Sequence, residues 1–286
     1  MAFRQATAML TQTVNSMQLH EKLILVTGAS GGIGSLLCRT LAGEGARLVM
    51  TCMDLQRLQA LQQELGAQHH IVAADLSKPE GRTAIVEACR DAGGIDGLVN
   101  LAGMLDFGLL QQQKPELLQK LFEVNTIGPV LLTRLLLPQL LVKREARIVN
   151  VGSIFGSIGH PGFAAYCASK AAIKTFSEAL SRELAESCVS VGYIAPRATR
   201  TALNSDRVRA LNAELGSKED APELVAREIC AMLAGSRRQR FLGWPEKLFV
   251  FINAVLPAVV HKALVGKLPV IRKFAQKHNL PLEVMP

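Results

Sequence analysis

Three side chains in the stretch NVGSIFGSIGHPGFAAYCASKAAIK, residues 150–174, could carry out proton chemistry together. Tyr166 and Lys170 are four residues apart, so on a helix they share one face, a turn from each other. Ser153 sits thirteen residues before the tyrosine, where an apolar run over 148–151 gives way to a glycine-punctuated loop. A phenol at its usual pKa near ~10 is a poor base at neutral pH. An ammonium about 4 Å away, at an effective dielectric of ~20, is worth roughly 4 kcal/mol. That would lower the phenol by up to about 3 pKa units. The trio therefore suits proton transfer to or from a carbinol oxygen, with Ser153 hydrogen-bonding and orienting that oxygen. Tyr-x-x-x-Lys taken alone is far more often an exposed helix face beside an unrelated serine, so the surrounding elements decide.

Those elements alternate. Apolar runs at 23–26, 47–51, 70–74, 95–100, 147–151 and 189–194 read as buried strands. Between them lie helical patterns: Leu36, Leu37 and Leu41 after the first strand, Leu55, Leu58, Leu61 and Leu65 after the second, and 80–91 after the third. A longer helix starts at Pro115, passes Asn125, and should be kinked or divided at Pro129 and Pro138. The helix carrying Tyr166 begins near Phe163. This alternation predicts an α/β, doubly wound, mostly parallel Rossmann-type sheet with helices on both faces, plus a C-terminal helical extension. The site residues fall just past strand ends, where such sheets bind ligands. The first strand runs into Thr27-Gly28-Ala29-Ser30-Gly31-Gly32-Ile33-Gly34, a turn in which backbone N–H groups can approach a phosphate at a helix N-terminus.

In this order and spacing, Thr27-Gly28-x-x-x-Gly32-x-Gly34, Asp75-Leu76, Asn100-x-Ala102-Gly103, Asn125, Ser153 and Tyr166-x-x-x-Lys170 resemble the classical short-chain dehydrogenase/reductase family across residues 21–244. The resemblance implies an oxidoreductase that moves a hydride between a nicotinamide cofactor and a carbonyl or secondary alcohol. It implies Tyr166 as acid/base, Lys170 on the nicotinamide ribose, Ser153 on the carbonyl and Asn125 in a water relay. It places Thr27, Gly28, Ser30, Gly32, Ile33, Gly34, Asp75, Leu76, Asn100, Ala102, Gly103, Tyr166, Lys170 and Thr201 at the cofactor. Three departures stand out: Leu101 replaces a common second Asn, Pro196-Arg197 replaces Pro-Gly, and Cys52 occupies the position where NAD-dependent members tend to carry an acid. Met53 and Gly31 stand where NADP-dependent members often carry a basic residue. Asp54 is either a ribose ligand or a helix cap, and Arg57 either reaches a 2′-phosphate or is a solvated helix arginine. NADP(H) is favoured, with NAD(H) as the alternative.

The 286 residues suffice for one large domain, partitioned as an extension (1–20), the dehydrogenase domain (21–244) and a basic, apolar extension (245–286). The N-terminal 22 residues are polar, lack a secretory h-region and read as mobile or loosely docked. Six scattered cysteines without C-x-x-C spacing read as reduced thiols of a cytoplasmic protein, with no metal site. His69 and His70 read as surface-loop residues; His160 is either a substrate contact or a solvated loop residue. The leucine-rich segment 131–141 reads as core or as the interface of a homo-oligomer. No uncharged apolar run is long enough to span a bilayer.

Of the net charge of +8, residues 235–286 hold nine Lys/Arg and two Glu, a local +7, without the interleaved aromatics of a nucleic-acid surface. The uncharged run 248–260, with Pro257 as a kink, keeps three readings open: cover for the core or a dimer interface, a lid over an apolar pocket, or a peripheral membrane segment that brings the site to a lipophilic, fatty-acyl-type substrate. A membrane-associated or nucleotide-binding scaffold that merely retained the fold is the competing function, and the complete Ser–Tyr–Lys set speaks against it.

With no carboxylate at Cys52 to repel a 2′-phosphate, NADPH should bind at least as tightly as NADH, and Cys52→Asp should shift the preference towards NADH. Titration of the unmodified chain decides: NADH binding about tenfold tighter, roughly 1.4 kcal/mol, would end the NADP reading.

Overall fold

The computed structural model describes residues 17–235 and 237–275. The six apolar runs are strands: β1 (Leu23–Thr27), β2 (Arg47–Cys52), β3 (His70–Ala73), β4 (Gly97–Asn100), β5 (Ala146–Val151) and β6 (Val189–Ala195). A seventh, β7 (Gln239–Phe241), is too short to announce itself by pattern. All pair in parallel, in the order β3-β2-β1-β4-β5-β6-β7. The order reverses between β1 and β4, which opens a crevice at their C-terminal ends.

Helices α1 (Gly32–Gly43), α2 (Leu55–Leu65), α3 (Pro79–Asp91), α4 (Pro115–Phe122), α5 (Gly128–Leu141), α6 (Ala164–Glu183), α7 (Asp206–Glu214) and α8 (Pro222–Ala234) form the connections. Period-two alternation along β1 divides the core. Ile24 and Val26 pack with Leu37, Leu58 and Ile229 on one face of the sheet. Leu23 and Leu25 pack with Ile85, Leu132 and Leu180 on the other. Helices α7 and α8 were not legible as separate elements in the sequence.

Several details differ from expectation. The extension before residue 21 is docked over 17–20: Met17 and Leu19 are buried in the first core cluster, and Met17 N donates to Ala234 O at 2.8 Å. Residues 1–16 lie outside the described residues. The long helix is divided by a π-helical turn, Glu123–Ile127, immediately before Pro129, which has no N–H to donate in the α register. Pro138 does not divide α5. The run Pro115–Leu141 is long and apolar enough to cross a membrane by length and composition, yet Leu132, Leu136 and Leu140 are buried against the sheet, so it is a core helix here. His69 is no surface-loop residue. It is buried, and its Nδ1 accepts from Leu48 N at 3.2 Å, closing the start of β2. All six cysteines are free.

The C-terminal segment forms α9 (Glu246–Val255), α10 (Pro257–Gly266) and α11 (Leu268–Ala275). Pro257 opens α10, so the expected kink is a break between two helices. The segment is pinned at both ends. Arg197, the residue in place of the family glycine, holds Asp220 at 2.7 Å and Glu246 at 3.1 Å and donates to Trp244 O at 3.2 Å. At the far end Ile271, Phe274 and Ala275 are buried among Phe107, Phe163 and Tyr166. Between these anchors Asn253 Nδ2 donates to Ser157 O at 3.0 Å.

Asp220 is buried, so removing its cation strands a carboxylate in the interior. Arg197→Ala should therefore cost about 3 kcal/mol. Denaturant unfolding measures it, and an unchanged midpoint would show the clamp to be idle.

Candidate active site

Strand β5 and helix α6 bring the three candidate residues together. Ser153 follows β5 and caps the short 3-10 turn Ile154–Gly156, its Oγ accepting from Phe155 N at 3.2 Å. Tyr166 and Lys170 are both buried in the first two turns of α6. Lys170 Nζ donates to Val151 O at 3.1 Å and lies 6.0 Å from the Tyr166 ring centroid. A side chain that the sequence reading missed supports the group from below. Tyr193 of β6 donates its hydroxyl to Ser153 O at 3.2 Å, and its hydroxyl oxygen accepts from Ser153 N at 3.4 Å. Glycine at 152 makes room for it, since a Cβ there would sit 2.2 Å from the Tyr193 hydroxyl. The only signal for Tyr193 was that the chain has two tyrosines, and this is the other.

Asn125 lies in the π-helical turn and is buried. Its Oδ1 accepts from Met104 N at 2.8 Å, while Nδ2 donates to Met104 O at 2.9 Å and Ser169 Oγ at 3.1 Å. A Cβ on Gly103 would lie 3.2 Å from Asn125 Oδ1 and 3.4 Å from Lys170 Nζ, which places both the amide and the ammonium close beside that glycine. Asn125 thus ties the β4 exit loop to α6.

Across the crevice lies the glycine turn. Gly28 has φ +69°, and a Cβ on Gly34 would sit 2.1 Å from Gly28 O, so this strand-to-helix approach admits only glycine. Thr27 Oγ1 accepts from Leu101 N and Ala102 N, both at 3.0 Å, locking the β1 exit to the β4 exit. Leu101 keeps this backbone contact without the family's second Asn. Helix α1 starts at Gly31 with no side-chain cap, so its first-turn N–H groups face the crevice as donors for an anion. Thr201 packs over Gly32. A dinucleotide's phosphates fit this cradle, because backbone alone forms its floor. Ile33, Gly103 and Thr201 also line the adjoining cavity, linking the cradle to the triad.

Three residues assigned to the cofactor have other ties. Asn100 turns its amide inward, donating to Thr133 Oγ1 at 3.0 Å and Asn150 Oδ1 at 2.8 Å; Asn150 in turn donates to Ser177. Asp75 accepts from Lys120 Nζ at 2.8 Å and from Ser77 N and Oγ. Burial alone would raise its pKa, but these partners hold the carboxyl down at about 2. Leu76 is buried in the core. At the end of β2, Cys52 Sγ accepts from Ser30 Oγ at 2.9 Å. Asp54 caps α2 through Arg57 N at 3.0 Å and pairs with the exposed Arg57 guanidinium at 3.2 Å.

The cavity beside the triad holds about 640 Å³. Phe155, Phe163, Phe249, Ile252, Val260 and Leu264 contribute to its wall. Helices α9 and α10 supply the last four, so the C-terminal extension is a lid on this cavity and also cover for the core. His160 is part of the wall, stacked on Phe155 with centroids 4.8 Å apart, and burial lowers its pKa, which keeps the imidazole neutral.

Electrostatics correct the expected depression of the phenol. Burial raises Tyr166 to about 12, outweighing a hydrogen bond with Ser153 that pulls it down. Burial lowers Lys170 to about 8. The earlier figure counted the attraction of an ammonium in contact with the phenol. It omitted desolvation, which favours the neutral form of both groups. At neutral pH Tyr166 therefore holds its proton, while Lys170 remains mostly cationic.

The short chain dehydrogenase family profile matches residues 22–212. The chain is 37% identical over 199 residues to a 3-oxoacyl-[acyl-carrier-protein] reductase FabG of Vibrio cholerae, covering 69% of this chain and 80% of that one. It is 30% identical over 278 residues to the dehydrogenase/reductase SDR family member 7B of Bos taurus, covering 91% and 85%. A solved 3-ketoacyl-(acyl-carrier-protein) reductase from Brucella melitensis, complexed with NADH, superposes with a TM-score of 0.71 at 29% identity, covering 78% and 96%.

The buried ammonium should destabilise the fold. Because burial disfavours the charged amine, the unfolded chain holds this proton more tightly. The penalty is full below about pH 8 and is relieved as pH rises towards 10.5. Lys170→Met should therefore gain about 3 kcal/mol at neutral pH, less about 1 for the lost bond to Val151 O. Unfolding both proteins at several pH values tests this: the advantage of Lys170→Met should shrink above about pH 8 and be gone before pH 10.5, and a difference independent of pH would refute it.

Proposed function

The chain belongs to the short chain dehydrogenase family, and we propose that it is an NADP(H)-preferring reductase of carbonyl groups on lipophilic, fatty-acyl-type molecules. The observation that carries this reading is the convergence of Ser153, Tyr166 and Lys170 between a backbone-floored cradle and an apolar cavity. A scaffold would have no use for a buried, destabilising ammonium. The acyl-carrier-protein reductases named above support the substrate class.

Gly28, Ser30, Gly32, Ile33 and Gly34 would hold the dinucleotide phosphates, with Ala102, Gly103, Thr201 and Lys170 along the nicotinamide half. Leu76 and Asp75 would stand near the base. Asp75 can serve only with the oxygen capacity that Lys120 and Ser77 leave free. A bound nicotinamide supplies the hydride for the carbonyl carbon. The protein's part is the proton and the geometry. Ser153 donates a hydrogen bond to the carbonyl oxygen and orients it. Tyr166, protonated at neutral pH, gives its proton to that oxygen as the carbonyl becomes a carbinol. Lys170 stabilises the phenolate left behind, an interaction stronger in the transition state than before it. Asn125 holds the β4 loop and α6 in register, and is the residue through which a relay behind Lys170 would pass. Cys52, which offers no carboxylate, leaves the cradle open to a 2′-phosphate. The apolar part of the cavity wall, from Phe155 and Phe163 to Val260 and Leu264, suits an alkyl chain. The outer end of α5, where Leu135, Leu141 and Val142 are exposed, is the surface offered for a homo-oligomer. A cytoplasmic setting, with peripheral membrane contact, completes the reading.

Tyr166→Phe should reduce turnover by about 10²–10⁴-fold while cofactor binding stays nearly intact. NADPH consumption across a chain-length series of carbonyl substrates provides the assay, with fluorescence titration for binding. Near-normal turnover in Tyr166→Phe would remove the assignment of Tyr166 as proton donor.

A further inference from the structure

Exposed apolar side chains are unevenly distributed over this molecule. Among the described residues, eight of the sixteen large apolar side chains that are exposed fall between Trp244 and Val265. Among the described residues, no Trp or Phe outside that segment is exposed. Helices α9 and α10 pack on each other and are apolar on two sides. Ile252, Val260 and Leu264 turn to the cavity, while Leu248, Phe251, Val255 and Leu256 are exposed to solvent. On α9 the exposed set falls at 248, 251 and 255, one continuous helical stripe. A helix apolar all round expects cover on both sides, and the protein supplies only one.

The charge carried by this segment after Glu246 has one sign. From Lys247 to Ala275 the chain has no Asp or Glu, but it has Lys247, Lys262, Lys267, Arg272 and Lys273, all exposed. The acid just before this stretch, Glu246, is taken by Arg197. An apolar stripe rimmed by cations is complementary to an anionic lipid surface, with acyl chains for the stripe and headgroups for the rim. A second copy of the same face would set five cations against five more.

We propose that the outer face of α9 and α10 docks in the interfacial layer of an anionic membrane. The two helices lie in the interface and do not span it. Each has ten residues, about 15 Å of helix against a hydrocarbon core of about 30 Å. Phe249 and Val259 are both exposed and part of the cavity wall, so the docked face borders the cavity mouth. A lipophilic substrate would then pass from the bilayer into the cavity without crossing water. That consequence rests on the reductase reading; the docking does not.

Co-sedimentation of the full chain with phosphatidylcholine vesicles, with and without phosphatidylserine, tests the docking. Binding should require the anionic lipid at low salt and should weaken, without vanishing, at high salt. Lys247→Ala with Lys262→Ala should reduce low-salt partitioning roughly thirtyfold and converge with the unmodified protein at high salt. Phe251→Ser with Leu256→Ser should reduce binding at every salt concentration. All four side chains are exposed, so both variants should keep the native melting temperature. If one variant loses its fold, the other still decides. Intact protein that stays in the supernatant with anionic vesicles at low salt would overturn the proposal. So would unchanged vesicle binding in a folded variant, or a dimer that both variants dissociate in a protein that ignores vesicles. Turnover of a short, water-soluble carbonyl is read separately: protein that binds vesicles but lacks turnover leaves docking standing and removes only the reductase reading.

Discussion

The active region depends on one buried hydrogen bond, from Lys170 Nζ to the carbonyl of Val151 at 3.1 Å. It fixes the second turn of α6 to the last residue of β5, and every other part of the site is measured from that joint. An ammonium in this position is expensive, and burial brings its pKa down to about 8. Its surroundings reduce that expense only by coming close. Glycine at 103 lets the β4 exit loop pass beside Nζ, and Tyr193 props up the loop that follows Val151. Retaining a charge in so dry a place is understandable if that charge acts on a phenol that must pass through an anionic state.

The same dryness requires a cover, and the C-terminal segment supplies it. Arg197 is the hinge-pin of that arrangement. It replaces the family glycine, and its guanidinium reaches Asp220, Glu246 and the Trp244 carbonyl at once. The loop beyond β6 and the start of the lid are therefore tied together through one side chain. At the other end Ile271 and Phe274 enter the cluster that contains Tyr166. The lid is thus continuous with the wall of the cavity and with the packing around Tyr166.

Below the site the polar groups form a second layer. Asn100, Asn150 and Ser177 run as a hydrogen-bonded ladder from β4 through β5 to α6. Thr27 closes the β1 exit on the β4 exit. Fully enclosed networks of this kind hold strand ends in one relative position. They explain why residues of the family pattern can matter to the cradle without lining it.

The sequence by itself determined the parallel sheet, the cradle and the triad. Those features are written in local signals: buried strands are continuous apolar runs, a strand-to-helix turn needs glycines, and Tyr166 and Lys170 meet through helical spacing. Tertiary structure decided what depends on distant neighbours. His69 reads as a loop residue until β2 is laid against it. Nothing in the sequence showed that Asn150 would accept from the Asn100 amide or that Lys120 would pair with Asp75. The phenol pKa followed the same rule, since pairwise attraction can be read from spacing but desolvation belongs to the whole enclosure. The C-terminal run likewise showed its apolarity and charge in sequence. Which of its sides would face a cavity, and which would be left exposed, was fixed only when Arg197 and Phe274 anchored its two ends.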